Sequence, residues 1–255
     1  MNDYKEFETQ SILHQPFAEI VNASIEDLRN FFTKIIDTVE NIDSNPIRLL
    51  TYFSLIESIA QDVANYPLRE QHIAFTNFVL KYQNSYTYLE DVDPVSLYYR
   101  TETYIGKEFN LNNLDDGMKY LPTHEIICKT TQKLKQKLIS ALGIERAKSY
   151  FQQHRYVDLL YRMRCGLSHE FSSSHIALST IMQEPYYQNC SRYYLKNKKI
   201  FQDNVWKLNI PTTFIKKLCE NCIENYLNEC MINNTMPLPN NTMIRFCELS
   251  WYNKI

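Results

Sequence analysis

The sequence predicts a mainly α-helical protein: a helical bundle with a small β-hairpin and a further helix added at its C-terminal end. Only four glycines occur in 255 residues, which disfavours turn-rich all-β architectures and leaves no glycine-rich phosphate loop or dinucleotide fingerprint. Apolar side chains recur at helical spacing through most of the first two thirds of the chain. Beyond residue 175, proline-bounded segments with clustered aromatics and apolar–polar alternation predict strands.

The first predicted helix follows an irregular polar arm that covers residues 1–20. Asn22 or Ser24 can cap its N-terminus, and Glu26 and Asp27 stand in the first turn, where the helix dipole favours acids. Apolar side chains then repeat at helical spacing until the polar segment NIDSNP ends the helix.

Three more helices are predicted before residue 105. One runs from Pro46 to Ala64, since proline is tolerated in a first turn and a broad apolar face follows it. The next covers about 69–83, and a short one runs from Pro94 to Tyr104 before a loop rich in Asn, Asp and Gly. The inward positions of the helix at 69–83 are predicted to be Ile73, Phe75, Phe78 and Val79.

A basic pair of helices is predicted in the middle of the chain. The first begins near Thr123, whose hydroxyl can cap it, and ends at Gly143; the second runs from Ile144 to at least Phe171. Two helices joined by a short turn predict an antiparallel hairpin. Residues 129–164 hold nine basic and two acidic side chains, which is typical of a polyanion-binding surface and equally of a solvated lysine-rich helix face.

The C-terminal part is predicted as a β-hairpin, with strands near 192–196 and 205–210, followed by a helix over 212–231. That helix contains a lone CxxC pair, Cys219 and Cys222. Both cysteines fall on its apolar stripe, which favours core packing over a metal or redox site. We expect one helical domain over residues 1–175, with residues 176–255 as an appendage packed on it.

Composition predicts a cytoplasmic protein without a membrane segment. The net charge is −2, no apolar run approaches 18 residues, and the first ten residues lack the apolar core of a signal peptide. Seven cysteines without regular spacing fit reduced thiols in a cytosol better than a disulfide framework.

The segment from Tyr156 to Phe171, YVDLLYRMRCGLSHEF, combines basic side chains with a histidine inside an apolar helical run. On a straight helix, at about 100° per residue, Arg162 lies within about 20° of His169, and Arg155 and Asp158 lie on the same side. The group suits acid/base chemistry on a phosphodiester, because histidine titrates near neutrality and arginine binds phosphate.

Arg164 lies about 140° from His169 on the same straight helix, on the apolar side. An arginine in that position is costly unless it is paired or lies at an interface. Three arrangements are open: a bend of the helix at Gly166, a dimer interface along the apolar side, or an ion pair between Arg164 and a buried acid.

The string from Arg164 to His169, RCGLSH, resembles the active-site motif of the HEPN superfamily of helical RNases and nucleotide-binding domains. In that family an arginine is commonly followed by a polar residue, a small residue, an aliphatic residue, any residue and a histidine. Arg164, Gly166, Leu167 and His169 match, and Cys165 stands where Asn is usual. The resemblance covers this short string alone.

The resemblance implies a HEPN-like bundle and a metal-independent endoribonuclease of a stress-response or defence system, with no cofactor. His169 is then the catalytic acid/base, Arg164 stabilises charge on the transition state, and Arg162 and Arg155 bind substrate phosphates. The products would carry 2′,3′-cyclic phosphate ends. The family typically dimerises through the motif helix, so a homodimer is expected, with RNA or nucleotide as ligand and an antitoxin or another protein as a further partner.

Two other functions are compatible with the sequence. One is a non-catalytic HEPN-like domain that binds nucleotide, RNA or a protein partner. The other is a purely structural helical interaction protein in which the Arg and His residues have no chemical role. Dimerisation through residues 156–171 separates the last possibility from the other two, and RNA cleavage separates the enzyme from the binding domain.

Overall fold

The computed structural model describes residues 16–64, 70–106, 118–169, 176–179, 182–196 and 199–238. Within these residues it is mainly helical with a small sheet, which confirms the predicted fold class, including the C-terminal hairpin and helix. The helices are α1 (Phe17–Glu40), α2 (Asn45–Ala64), α3 (Gln71–Tyr82), α4 (Pro94–Ile105), α5 (Glu125–Leu142), α6 (Ile144–Gln153), α7 (Tyr156–His169) and α8 (Thr212–Asn233), and a short 3-10 helix spans Thr87–Glu90. The strands are β1 (Ile176–Ser179), β2 (Tyr186–Lys196) and β3 (Lys199–Pro211).

Helix α1 begins at Phe17, so the predicted irregular arm is wrong for residues 17–20, and residues 1–15 lie outside the described part of the chain. Pro16 precedes the first turn with a φ of −54°, which suits a helix start. Ser24 does not cap the helix; its hydroxyl donates to the carbonyl of Ile20 at 2.9 Å. The apolar stripe also extends one turn further than predicted, because Val21 is fully buried.

Helices α1, α2, α3 and α8 enclose the main core. Helix α8 packs against the other three, and α2 packs against both α3 and α8. Phe75, Phe78 and Val79 of α3 are buried as predicted, but Ile73 is 45% exposed, so its predicted inward position is wrong. Ala74 is buried instead, because it lies four residues before Phe78 and therefore on the same side of α3.

The cysteines of α8 confirm the prediction of core packing. Cys219, Cys222 and Cys230 are all buried on the side of α8 that faces the other helices. Burial raises the pKa of the Cys219 and Cys222 thiols, because a thiolate is disfavoured in apolar surroundings.

Helix α5 is capped by His124 and not by Thr123. The Nδ1 atom of His124 accepts a hydrogen bond from the backbone N–H of Ile126 at 3.2 Å. The predicted end is confirmed at Gly143, which has a φ of +77° and donates its N–H to the carbonyl of Ile139. A positive φ is readily adopted only by glycine, which explains the residue at this turn.

The single helix predicted from Ile144 to Phe171 is wrong, because α6 ends at Gln153 and α7 begins at Tyr156. The N–H of Asp93 donates to the carbonyl of His154 at 2.9 Å, and the N–H of Tyr156 donates to the carbonyl of Asp91 at 3.0 Å. These backbone groups pair with a distant segment, so the helical ladder is interrupted there. Residues 170 and 171 lie outside the described part.

The sheet has the order β1-β3-β2, with β2 and β3 antiparallel and β1 parallel to β3. The predicted hairpin is confirmed, but both strands are longer than predicted and β1 was not predicted at all. Buried β3 side chains, among them Trp206, Leu208 and Ile210, join the sheet to the core, and β3 contacts α8 and α4. Within the ranges that the structure describes, none of the helices combines the length and hydropathy that a membrane crossing requires.

Candidate functional site

Helix α7 carries the sequence motif and packs against α2, α3 and the 3-10 helix. It is continuous through Gly166 to His169. Its buried apolar side chains hold it in place from within the same chain: Val157, Leu160, Met163 and Leu167. Because this apolar side is already covered by α2 and α3, an interface with a second copy would have to use the opposite side, where Arg162 is exposed.

Asp158 lies at the centre of an ionic cluster at the start of α7. One carboxylate oxygen accepts from Arg155 Nε at 2.7 Å, and the other lies 2.6 Å from His72 Nε2. An ionised carboxylate can only accept, so Nε2 of His72 carries the hydrogen in this contact. Burial opposes ionisation, but the hydrogen bonds from His72 and Arg155 outweigh it and lower the pKa of the Asp158 carboxyl. Arg155 is therefore already engaged with an acid.

We expect Asp158→Asn to lower the free energy of unfolding by about 2 kcal/mol, because hydrogen bonds to a charged group contribute about 1.5–3 kcal/mol and the amide keeps only part of them. Urea unfolding followed by circular dichroism measures the change. Glu145→Gln removes an acid from an exposed pair with Lys148 and is the matched control, with an expected change below about 0.5 kcal/mol. Equal effects of the two substitutions would contradict a structural role for Asp158.

Arg162 is exposed and folds back towards the preceding helix. Its Nη2 atom donates to the carbonyl of Gln153 at 2.7 Å, and Gln153 is the last residue of α6. The guanidinium also lies within electrostatic reach of Asp158, Asp93 and Arg100. Burial of part of the guanidinium lowers the pKa of Arg162, but the residue as a whole is exposed, on the side of α7 that the helical spacing assigns to position 169.

Arg164 points to the other side and forms an ion pair with Glu57 of α2. The Glu57 side chain is 8% exposed and that of Arg164 is 20% exposed. The structure therefore has the third of the three arrangements, in which a buried acid pairs with the arginine. Two atoms of this pair, Glu57 Oε1 and Arg164 Nε, are buried and have no hydrogen-bond partner among the described residues.

The structure brings Arg155 and Arg162 to one side of α7 and places Arg164 on another. His169 ends α7, and its side chain lies outside the part that the structure describes. Among the described residues, no group of three or more His, Cys, Asp or Glu side chains is arranged to hold a metal ion.

A buried polar network beside α7 was not predicted. Asp93 caps α4 by accepting from the N–H groups of Val95 and Ser96, and it also accepts from the hydroxyl of Tyr187, which is hydrogen-bonded to Tyr156. Burial raises the pKa of Asp93 to about 6. The pair Asp93-Pro94 is a recognisable helix start, but the sequence carries no sign of the tyrosines that meet it.

His154 lies next to this network at the break between α6 and α7. Its Nδ1 atom is 2.7 Å from the hydroxyl of Ser96, and the residue is 3% exposed. Burial lowers the pKa of His154 to about 4, and the charges of Arg162 and Arg100 act in the same direction. The imidazole is therefore neutral at pH 7 and shares a hydrogen bond with the Ser96 hydroxyl.

Comparison of the chain with protein-family models, with curated proteins and with solved structures finds no match.

Proposed function

We propose that this chain is a HEPN-like, metal-independent endoribonuclease that acts in stress response or defence. The observation that carries the proposal is the motif helix itself. Helix α7 is regular up to His169, and the exposed Arg162 lies about two turns before it, on the same side of the helix by the 3.6-residue period. The proposed enzyme is a cytoplasmic homodimer joined through α7, and an antitoxin or another protein partner restrains it.

In this mechanism His169 either takes the proton of the attacking ribose 2′-hydroxyl or gives one to the leaving oxygen, and the second copy in the dimer supplies the group for the other proton transfer. An unperturbed imidazole has a pKa near 6.5 and can do either at neutral pH. An arginine stabilises the negative charge that develops on the oxygens of the phosphorane-like transition state through its planar set of donors. The motif assigns this role to Arg164, and the open position of Arg162 makes it the competing candidate.

The second candidate function is a non-catalytic HEPN-like domain that binds nucleotide, RNA or a protein partner. The pairing of Arg164 with Glu57 favours it, because an arginine held by an internal carboxylate is not free to bind a phosphate. Under this alternative the same surface of α7 binds its ligand and leaves it intact.

Cleavage of a mixed RNA pool in excess EDTA tests the proposal. We expect the wild type to cleave and to leave cyclic phosphate ends, and His169→Ala to be slower by about 10²–10⁴-fold, as for loss of a general acid/base. Arg162→Ala and Arg164→Ala identify the arginine involved. Arg29→Ala, which removes an arginine paired with Glu224 between α1 and α8, is the control and should cleave like the wild type.

Absence of cleavage by a folded wild-type protein would leave the binding domain as the better description. Cleavage that persists in His169→Ala would contradict the assignment of the site, and inhibition of the wild type by EDTA would contradict metal independence.

A further inference from the structure

Two tyrosines form an exposed aromatic contact between α4 and α6, on the surface next to the start of α7. The rings of Tyr104 and Tyr150 meet edge to face with centroids 6.0 Å apart, and their hydroxyls are 3.4 Å apart. Tyr104 is 44% exposed and Tyr150 is half-buried. A large aromatic ring that remains open to solvent offers a face on which a nucleic-acid base can stack.

Two exposed arginines lie near this tyrosine pair. Arg146 of α6 and Arg100 of α4 both lie close enough to the Tyr150 hydroxyl to act on it electrostatically. Arg100 in turn acts electrostatically on Arg162 of α7. Arg146, Arg100 and Arg162 therefore follow one another from α6 through α4 to the motif helix, each within electrostatic reach of the groups between them.

Asp158 and Asp93 act electrostatically on Arg162 and offset part of its charge, whereas the acids nearest Arg100 and Arg146 are engaged elsewhere or turned away. Glu145, next to Arg146, is paired with Lys148 at 2.9 Å. Glu102 lies on α4 but about 160° around the helix from Arg100, at 100° per residue. No ion pair of Arg100 or Arg146 with an acid is present among the residues that the structure describes.

We propose that the α4–α6 surface, formed by Arg100, Tyr104, Arg146 and Tyr150, binds single-stranded nucleic acid and leads it towards Arg162. The arginines contact phosphates and the tyrosine rings stack on bases, which is the combination that proteins use for unpaired strands. The identification of the strand as RNA rests on the proposed function, whereas binding itself does not depend on cleavage.

Binding is measured by fluorescence anisotropy with a labelled 2′-O-methyl oligonucleotide on the order of 12 nucleotides long, a length within the usual site sizes. The 2′-methyl group removes the attacking hydroxyl, so the full wild-type chain can be used without loss of the probe. The same sequence as single-stranded DNA shows whether the ribose matters, and a perfectly paired duplex tests the need for unpaired bases.

The two charge substitutions together, Arg100→Gln and Arg146→Gln, should weaken binding about tenfold. They should also reduce the slope of log affinity against log salt by about 0.7 for each phosphate that the variant no longer neutralises. Tyr104→Leu should weaken binding fivefold or more because it removes the stacking ring, whereas Tyr104→Phe keeps the ring and the affinity. Lys217→Gln, which removes one positive charge from α8 and so matches either arginine substitution made alone, is the control and should leave binding unchanged.

The proposal is overturned if the wild type binds neither single strand, or if the arginine variants and Tyr104→Leu bind like the wild type. A different result overturns it in favour of a surface that binds polyanions in general or acidic proteins. In that case the arginine variants bind more weakly, Tyr104→Leu binds like the wild type, and duplex binds as well as the single strand. Cleavage of unmodified RNA is scored separately. Cleavage that depends on His169 but not on these residues would refute the proposed binding surface and leave the proposed function intact. Binding to this surface without cleavage would support the binding surface and refute the proposed function.

Discussion

Arg164→Ala is expected to lower the free energy of unfolding by about 3 kcal/mol, the largest effect expected of a single substitution in α7. The substitution leaves the Glu57 carboxylate buried without its partner, and removal of one member of a buried pair costs about 3–5 kcal/mol. The partial exposure of Arg164 places the expected value at the lower end of this range. Urea unfolding monitored by circular dichroism measures it.

A charge-free double substitution provides the control for this prediction. Glu57→Leu with Arg164→Met removes both charges and fills similar space, and such replacements of buried ion pairs are often neutral or stabilising. We expect the double variant to lie within about 1 kcal/mol of the wild type. The double-mutant cycle isolates the pairing energy, and strictly additive single effects would show that Glu57 and Arg164 do not stabilise one another.

The same double variant separates stability from chemistry at position 164. A loss of RNA cleavage in Arg164→Ala has two explanations, a missing catalytic arginine or a poorly folded helix. The stable double variant lacks the arginine but keeps the fold. If it cleaves RNA as the wild type does, Arg164 serves the structure and Arg162 is the arginine that acts on the substrate.

The sequence predicts most of the helices because the spacing, start and end signals of a helix lie within the helix itself or next to it. The apolar spacing of α2, the Asp93-Pro94 start of α4 and the glycine after α5 all act within a few residues. The break between α6 and α7 has no such signal. It results from pairing of the backbone at His154 and Tyr156 with Asp91 and Asp93, about 60 residues earlier, and the periodicity of one segment does not record a partner that far away.

The same limit applies to the site. The helical period correctly placed Arg164 on a different side of α7 from Arg155, and it identified the need for a partner. It could not identify Glu57, which is 107 residues away in the chain, or His72, which binds Asp158 across 86 residues. The short parallel strand β1 was missed for a related reason, because four residues are too few to show an alternation and its partner β3 lies in a separate segment.

His154 and Asp93 should give the protein two opposing pH dependences that cancel in the wild type. His154 has a pKa of about 4 in the folded chain and about 6.5 when unfolded, so its contribution to stability is complete above pH 6.5 and is lost as the pH falls to 4. Asp93 has a pKa of about 6 when folded and about 3.9 when unfolded, so its destabilising effect is complete above pH 6 and is relieved towards pH 4. At 1.36 kcal/mol per pKa unit, each effect amounts to about 3 kcal/mol.

Substitution of either residue should uncover the other. As the pH falls from 6.5 to 4, we expect the unfolding free energy of His154→Gln to rise by about 3 kcal/mol relative to that of the wild type, because Asp93 remains and the opposing contribution of His154 is gone. Asp93→Asn should lose about the same amount over the same interval, because only His154 remains. Urea unfolding at half-unit pH steps measures both slopes, and parallel profiles of the two variants would contradict the assignment. Opposite slopes would mean that a buried acid at the start of α4 and a buried base between α6 and α7 offset one another's effect on stability between pH 4 and 6.5.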